Sequence, residues 1–182
     1  MRHKELSCNM VKTVNLTQEA LVGAIARLVK VKSFTDITVS ELTKVAGVSR
    51  PTFYRHYHNI VDVLNVELTT MLADFETTVI FHNNSQYILQ MVYFFQRYSA
   101  TIKILLAAGQ EEQLRQKIAR VMAGLSLKKP TITSLTILDQ YYYVVYHTAG
   151  LMTVIVDWVA HDQPETPEQL AHFLDDNSRQ SN

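Results

Sequence analysis

The chain has 182 residues, 47% of them apolar, which suffices for one ample hydrophobic core or two modest ones. Its 17 basic and 17 acidic side chains cancel, and a lone cysteine, Cys8, excludes an intramolecular disulfide framework and suits a reducing cytosol. The neutral total hides an asymmetry: through residue 60 there are nine Lys and Arg against four Asp and Glu, a net +5, so residues 61–182 carry −5.

Read in chain order, the segments are helical throughout. MRHKELSCNMVK has no apolar core of signal-peptide length, and Cys8 with His3 lacks zinc-ligand spacing. Thr17 caps a first helix to about Lys32, with Leu21, Ile25, Leu28 and Val29 at helical spacing. Ser33 to Ile37 is a link. Residues 38–57, TVSELTKVAGVSRPTFYRHY, then read as two short helices joined by a tight turn. Thr38 is an N-cap with Glu41 three residues on, the spacing of a capping box, and Ile37 and Leu42 are placed for a hydrophobic staple. Gly47 stands where the first helix must stop in a left-handed conformation. Ser49 caps the second helix, Arg50 to Tyr57, and Pro51 is tolerated in its first turn. Phe53 and Tyr57, four apart, face inward; Arg50, Thr52, Tyr54, Arg55 and His56 are left for other faces. Asn59 with Asp62 repeats the cap logic for a helix toward Phe81.

Beyond His82 to Ser85, a polar break, a helix is expected from Gln86 to Ala108, ended by Gly109. A charged amphipathic helix follows from Glu111 to Met122, then a loop from Gly124 to Pro130. A long helix spans 131–160, a Pro164-to-Pro167 corner turns the chain, and a short helix covers Pro167 to Asp175. The tail NSRQSN is expected to be disordered. The longest apolar stretch, near Val144 to Val156, is interrupted by His147 and Thr148 and is too short to span a bilayer, so no membrane partner is expected.

The ordered caps, turn and basic exposed set of residues 38–57 have the layout of a helix-turn-helix reader of double-stranded DNA. An ordinary helical hairpin with a solvated basic face is the plainer alternative. Thr38, Ser49 and Tyr54 are candidates for positioning phosphates, with Arg50, Thr52 and Arg55 nearer the bases and His56 able to serve either role. Residues 17–64 resemble the amino-terminal domain of TetR/AcrR regulators. The pattern is carried by Thr38, the stretch from Leu42 to Gly47, Val48, Ser49, Thr52, Tyr54 and Tyr57. Two departures stand out. Ile60 occupies the place of a lysine that usually reaches a phosphate, with His58 or Asn59 to substitute for it, and Pro51 stands where a small residue is usual.

The long helix carries Tyr141, Tyr142, Tyr143, Val144, Val145 and Tyr146, then His147 and Gly150 to Trp158, apolar almost all round. Such a helix is buried on more than one side, which implies a partner surface. Together with the last helix it also resembles the carboxy-terminal dimerisation unit of regulators related to the dihydroxyacetone-kinase operon activator. Tyr143, Gly150, Val154, Trp158, Leu170, Phe173 and Leu174 are the candidates for a dimer interface. Met91, Phe95, Tyr98, Met122, Tyr142, Tyr146 and His147 are candidates for an effector pocket, with core packing as the plain alternative for each.

An enzyme reading finds no support: there is no phosphate-cradling glycine loop, no HExxH spacing and no nucleophile elbow, and the histidines are scattered. The expected fold is all-α: a three-helix helix-turn-helix DNA-binding domain over residues 1–60, then a helical ligand-binding and dimerisation domain over 61–182. The expected function is a cytoplasmic, homodimeric, ligand-responsive regulator, a repressor on a near-palindromic operator, without cofactor or metal. The alternatives are an activator governed by a protein partner, or a helical small-molecule carrier that does not bind DNA.

Overall fold

Apolar residues recur at three- and four-residue spacing along almost the whole sequence, and every regular element among the described residues is helical. The computed structural model describes residues 16–126 and 136–179. The amino-terminal segment with Cys8, the Lys128–Lys129 part of the loop and the start of the expected long helix at 131–135 lie outside them. The helices are α1 (16–28), α2 (Val39–Ala46), α3 (Arg50–His56), α4 (Ile60–Thr78), α5 (Asn84–Arg97), α6 (Ser99–Ala107), α7 (Glu111–Ser126), α8 (Ile137–Ala160) and α9 (Pro167–Arg179), with one 3₁₀ turn at Phe34–Asp36.

The chain packs as two compact units, Met1–Thr69 and Thr70–Asn182, and the division falls inside α4. In the first unit, Leu21, Ala24, Ile25 and Leu28 of α1 are buried, as are Phe34, Ile37, Leu42, Phe53, Tyr57, Val63, Leu64 and Leu68. In the second, Met71, Phe75 and Val79 join the apolar faces of α5 to α9. Phe75 and Phe94 meet edge to face with ring centroids 4.9 Å apart, the geometry aromatic quadrupoles favour.

Several expectations are revised, and the first helix ends at residue 28, short of Lys32. The helix foreseen from Gln86 to Ala108 is two, with Tyr98 (φ −94°, ψ 14°) closing α5 and opening α6. The Tyr98 amide still donates to Phe94 O and the Ile102 amide to Tyr98 O, so helical hydrogen bonding runs up to the bend on one side and resumes beyond it on the other. Asp74 holds the corner, accepting from Tyr98 Oη at 3.0 Å and pairing with Arg97 at 2.9 Å. The tail expected to be disordered is helical through Arg179, because Ser178 accepts from Asn84 Nδ2 at 2.8 Å and Asn177 donates to Phe173 O at 2.7 Å. Helix α7 continues past Met122 to Ser126, taking Gly124 out of the expected loop.

Helix α8 has 24 residues and is long and apolar enough by length and composition to cross a membrane, so the shorter uninterrupted stretch understated it. Its buried residues Val144, Thr148, Met152, Ile155 and Val159 share one helical face, packed on α5, α6 and α7. Ile137, Leu138, Tyr141, Tyr142, Val145 and Tyr146 are exposed.

Helix α9 is tied to the start of α5 by Asp175, buried at 7% exposure, whose carboxylate accepts from Ser85 Oγ at 2.6 Å and Asn84 Nδ2 at 2.8 Å. Removing a buried charged acceptor leaves its donors unpaired. Asp175→Ala is therefore expected to cost about 2 kcal/mol of stability, read as a lower midpoint in denaturant unfolding.

Candidate nucleic-acid interface

The reader is shaped by backbone punctuation before any side chain can meet a ligand. Thr38 Oγ1 accepts from the Glu41 amide at 3.2 Å. The reciprocal half of a capping box is not used: the Glu41 carboxylate pairs instead with Lys32 Nζ at 2.5 Å. Ile37 and Leu42, the staple positions, are both buried. Helix α2 ends at Gly47 (φ 68°), whose amide donates to Lys44 O while Val48 donates to Thr43 O at 2.9 Å. That pair of bonds is a Schellman closure, and it requires the left-handed backbone that glycine adopts without strain.

Two residues later the chain starts again. Ser49 Oγ accepts from the Thr52 amide at 3.2 Å and lies 2.7 Å from Thr52 Oγ1. Pro51 sits in the first turn of α3, where its missing amide hydrogen leaves no helical bond unmade. Phe53 is fully buried and Tyr57 nearly so, and Tyr54 lies edge-on to Phe53 with centroids 5.3 Å apart. The inward face of α3 is thus aromatic. The outward side presents Arg50, Pro51, Tyr54, Arg55 and His56, all exposed, with Thr52 half-buried and Ser49 exposed at the cap. Thr38 is exposed at the start of α2. His58 projects almost entirely into solvent, with Nδ1 3.3 Å from the Asp62 carboxylate. Ile60, at the place of the expected lysine, is buried in the core of the unit.

A full reciprocal cap opens α4. Asn59 Oδ1 accepts from the Asp62 amide at 3.0 Å, and Asp62 Oδ2 accepts from the amides of His58 at 2.8 Å and Asn59 at 3.3 Å. The His58 amide, above all, holds the Asp62 carboxyl below its ordinary value.

One polar residue of this unit escaped the sequence reading. Gln18 lies on the same face of α1 as Leu21 and Ile25 and is buried, bonded to Tyr57, Val63 and Glu67. The signal was present: a glutamine at a position that helical spacing assigns to the core.

The second unit carries the remaining candidates. Met91, Phe95 and Met122 are packed in the core, and Tyr98 is half-buried with its hydroxyl on Asp74. Tyr142 and Tyr146 are exposed, at 61% and 70%. A groove of about 630 Å³ between α8 and α9 is lined by Tyr146, His147, Gly150, Val154, Phe173 and Leu174, among others. It thus unites two pocket candidates with four interface candidates; Met91, Phe95, Tyr98, Met122 and Tyr142 do not line it. Trp158 and Leu170 line an adjoining groove with Val154 and Phe173, and Trp158 Nε1 donates to Glu165 O at 3.0 Å. Tyr143 is half-buried and stacks on His147, with centroids 3.8 Å apart. His147 Nδ1 donates to Tyr143 O at 2.9 Å, and its Nε2 is buried with no partner among the described residues. A smaller cavity of about 280 Å³, unforeseen in the sequence, lies between α7 and α8 against Ala119, Ala123, Val144, Thr148 and Met152. Among the described residues no three His, Cys, Asp or Glu side chains are grouped to hold a metal ion.

Residues 82–180 match a protein family described as "Transcriptional regulator C-terminal region". No curated protein matches the sequence. Several solved structures share the fold. A TetR transcriptional regulator from Streptococcus agalactiae is 16% identical with a TM-score of 0.62, over 92% of this chain and 97% of that one. The fatty acid degradation regulator FadR from Bacillus halodurans is 16% identical with a TM-score of 0.64, over 90% and 96%. The dihydroxyacetone kinase operon activator DhaS is 14% identical with a TM-score of 0.62, over 87% and 91%.

A carboxyl group held below its ordinary value in the folded chain stabilises the fold above that value and loses its contribution as pH falls. At neutral pH, Asp62→Ala is expected to destabilise the protein by about 1 kcal/mol through the lost cap. The difference from wild type should shrink in unfolding measurements as pH falls below 3.8, the ordinary value for the group.

Proposed function

This chain belongs to the TetR family of transcriptional regulators, and we propose that it works in the cytoplasm as a homodimeric, ligand-responsive repressor bound to a near-palindromic operator. The observation that carries the proposal is α3, a short helix capped at both ends, aromatic inside and carrying Arg50, Tyr54, Arg55 and His56 outside. Two such helices in a dimer reach successive major grooves about 34–36 Å apart when the half-sites are one turn apart. Thr38, Ser49, Tyr54 and His58 then position phosphates, while Arg50, Thr52 and Arg55 face base edges, where arginine pairs with guanine and threonine with the thymine methyl.

The dimer reading is supported by apolar surface that a lone chain leaves wet. Tyr146 and Phe173 are 70% and 56% exposed beside Gly150, whose open backbone admits close approach of a second helix. A ligand lowers operator affinity by no more than its differential affinity for the two states. Helix α4 is the proposed transmitter, since it passes from one unit into the other. A second reading, an activator governed by a protein partner, is favoured by the solid packing of Met91, Phe95 and Met122, and by the likeness to a structure named an operon activator.

Selecting duplexes from random DNA tests the proposal: a recovered site with two-fold symmetry is expected, and failure to enrich any sequence at low salt would end it. On that site Arg50→Ala is expected to cost about 1–3 kcal/mol of affinity and to relax preference at one base pair. Tyr54→Phe should weaken binding to all duplexes alike. Phe173→Glu places a charge in the apolar groove, and sedimentation should then show a shift toward monomer together with weaker operator binding.

A further inference from the structure

We infer that Gln18 is a positioning residue for DNA reading: through Tyr57, its buried amide ties the end of the recognition helix to α4 and so fixes the angle at which α3 is presented. The inference rests on the DNA-reading function proposed above.

The geometry leaves the amide one arrangement. Gln18 is 8% exposed. Its Nε2 donates to Val63 O at 3.0 Å and to Glu67 Oε2 at 3.3 Å. A backbone carbonyl and a carboxylate only accept, so both amide hydrogens are committed to α4 and Oε1 is left to accept. The Tyr57 hydroxyl fills that place, donating at 2.6 Å. Tyr57 is the residue at which α3 stops (φ −136°, ψ 140°), so the bond grips the helix at its end. Burial, helped by the Glu67 charge, raises the Tyr57 phenol and keeps it a proton donor.

Stability alone does not require this arrangement. Apolar side chains of similar volume can replace a buried hydrogen-bonded pair with little loss, because the pair was fully hydrogen-bonded to water before folding. What apolar packing lacks is direction. The seven-residue α3 is anchored by two rings, Phe53 and Tyr57, and burial alone permits a short helix to pivot about them. A saturated network among α1, α3 and α4 removes that freedom. Bidentate base contacts tolerate little misplacement, whereas general binding is a sequence-independent electrostatic attraction to the phosphates and tolerates more. Loss of the network should therefore reduce specific binding more than general binding.

The test uses the full chain, the duplex recovered by selection with wild type, and a scrambled duplex of equal length. Tyr57→Phe removes the hydroxyl and keeps the ring; Gln18→Met keeps the length and removes the amide. Each variant is expected to unfold cooperatively and to bind the selected duplex about tenfold more weakly, ~1.4 kcal/mol, with scrambled-duplex affinity within about twofold of wild type. Because each removes the Tyr57–Gln18 bond, the double variant should bind little worse than the weaker-binding single variant. Selected-duplex affinity within about twofold of wild type in Tyr57→Phe overturns the inference, as do additive losses or an equal loss on the scrambled duplex. If wild type selects no duplex, the function itself has failed; if wild type binds and the variants bind as well, only the role of Gln18 has.

Discussion

A helix of seven residues has too few internal hydrogen bonds to persist alone, so α3 exists because tertiary structure holds it. Burial of Phe53 and Tyr57, with the Tyr57 hydroxyl bonded to Gln18 of α1, supplies that hold, and the caps at Ser49 and at Asn59–Asp62 set where the chain enters and leaves. The same constraint makes the exposed set useful. With the aromatic face committed inward, Arg50, Tyr54, Arg55 and His56 have nowhere to point but outward. The buried core and the proposed reading surface are opposite faces of one helix.

The second unit follows a different logic. Helix α8 is apolar on more of its circumference than α5, α6 and α7 cover. Its inner face, from Val144 to Val159, is core. Its outer face, with Tyr146 and Gly150, opens into the groove shared with Phe173 of α9. Contiguous apolar surface of this kind marks an interaction site. In the proposed dimer each copy would offer the same two helices to the other, the condition of a two-fold interface.

Much of this was legible in the sequence, unevenly so. The reader was the clearest part, because caps, Schellman glycines and first-turn prolines are local rules satisfied within a few residues: Thr38, Gly47, Ser49 and Pro51 act as their types dictate. Most of what failed depended on contacts distant in sequence. The bend at Tyr98 needs Asp74, the helical end at Ser178 needs Asn84, and the bonds of Gln18 reach Tyr57, Val63 and Glu67. The pocket candidates show the limit of composition. Met91 and Phe95 lie inside the core while Tyr142 lies on the surface, a partition that aromatic character alone does not determine.

The central claim is that α3 enters the major groove, twice per operator. Methylation protection reads it directly, since guanine N7 lies in that groove. The account predicts two protected clusters, symmetric and one helical turn apart, each lost from the pattern when Arg50 and Arg55 are both replaced by alanine. A bound duplex whose guanine N7 atoms all stay reactive would contradict it.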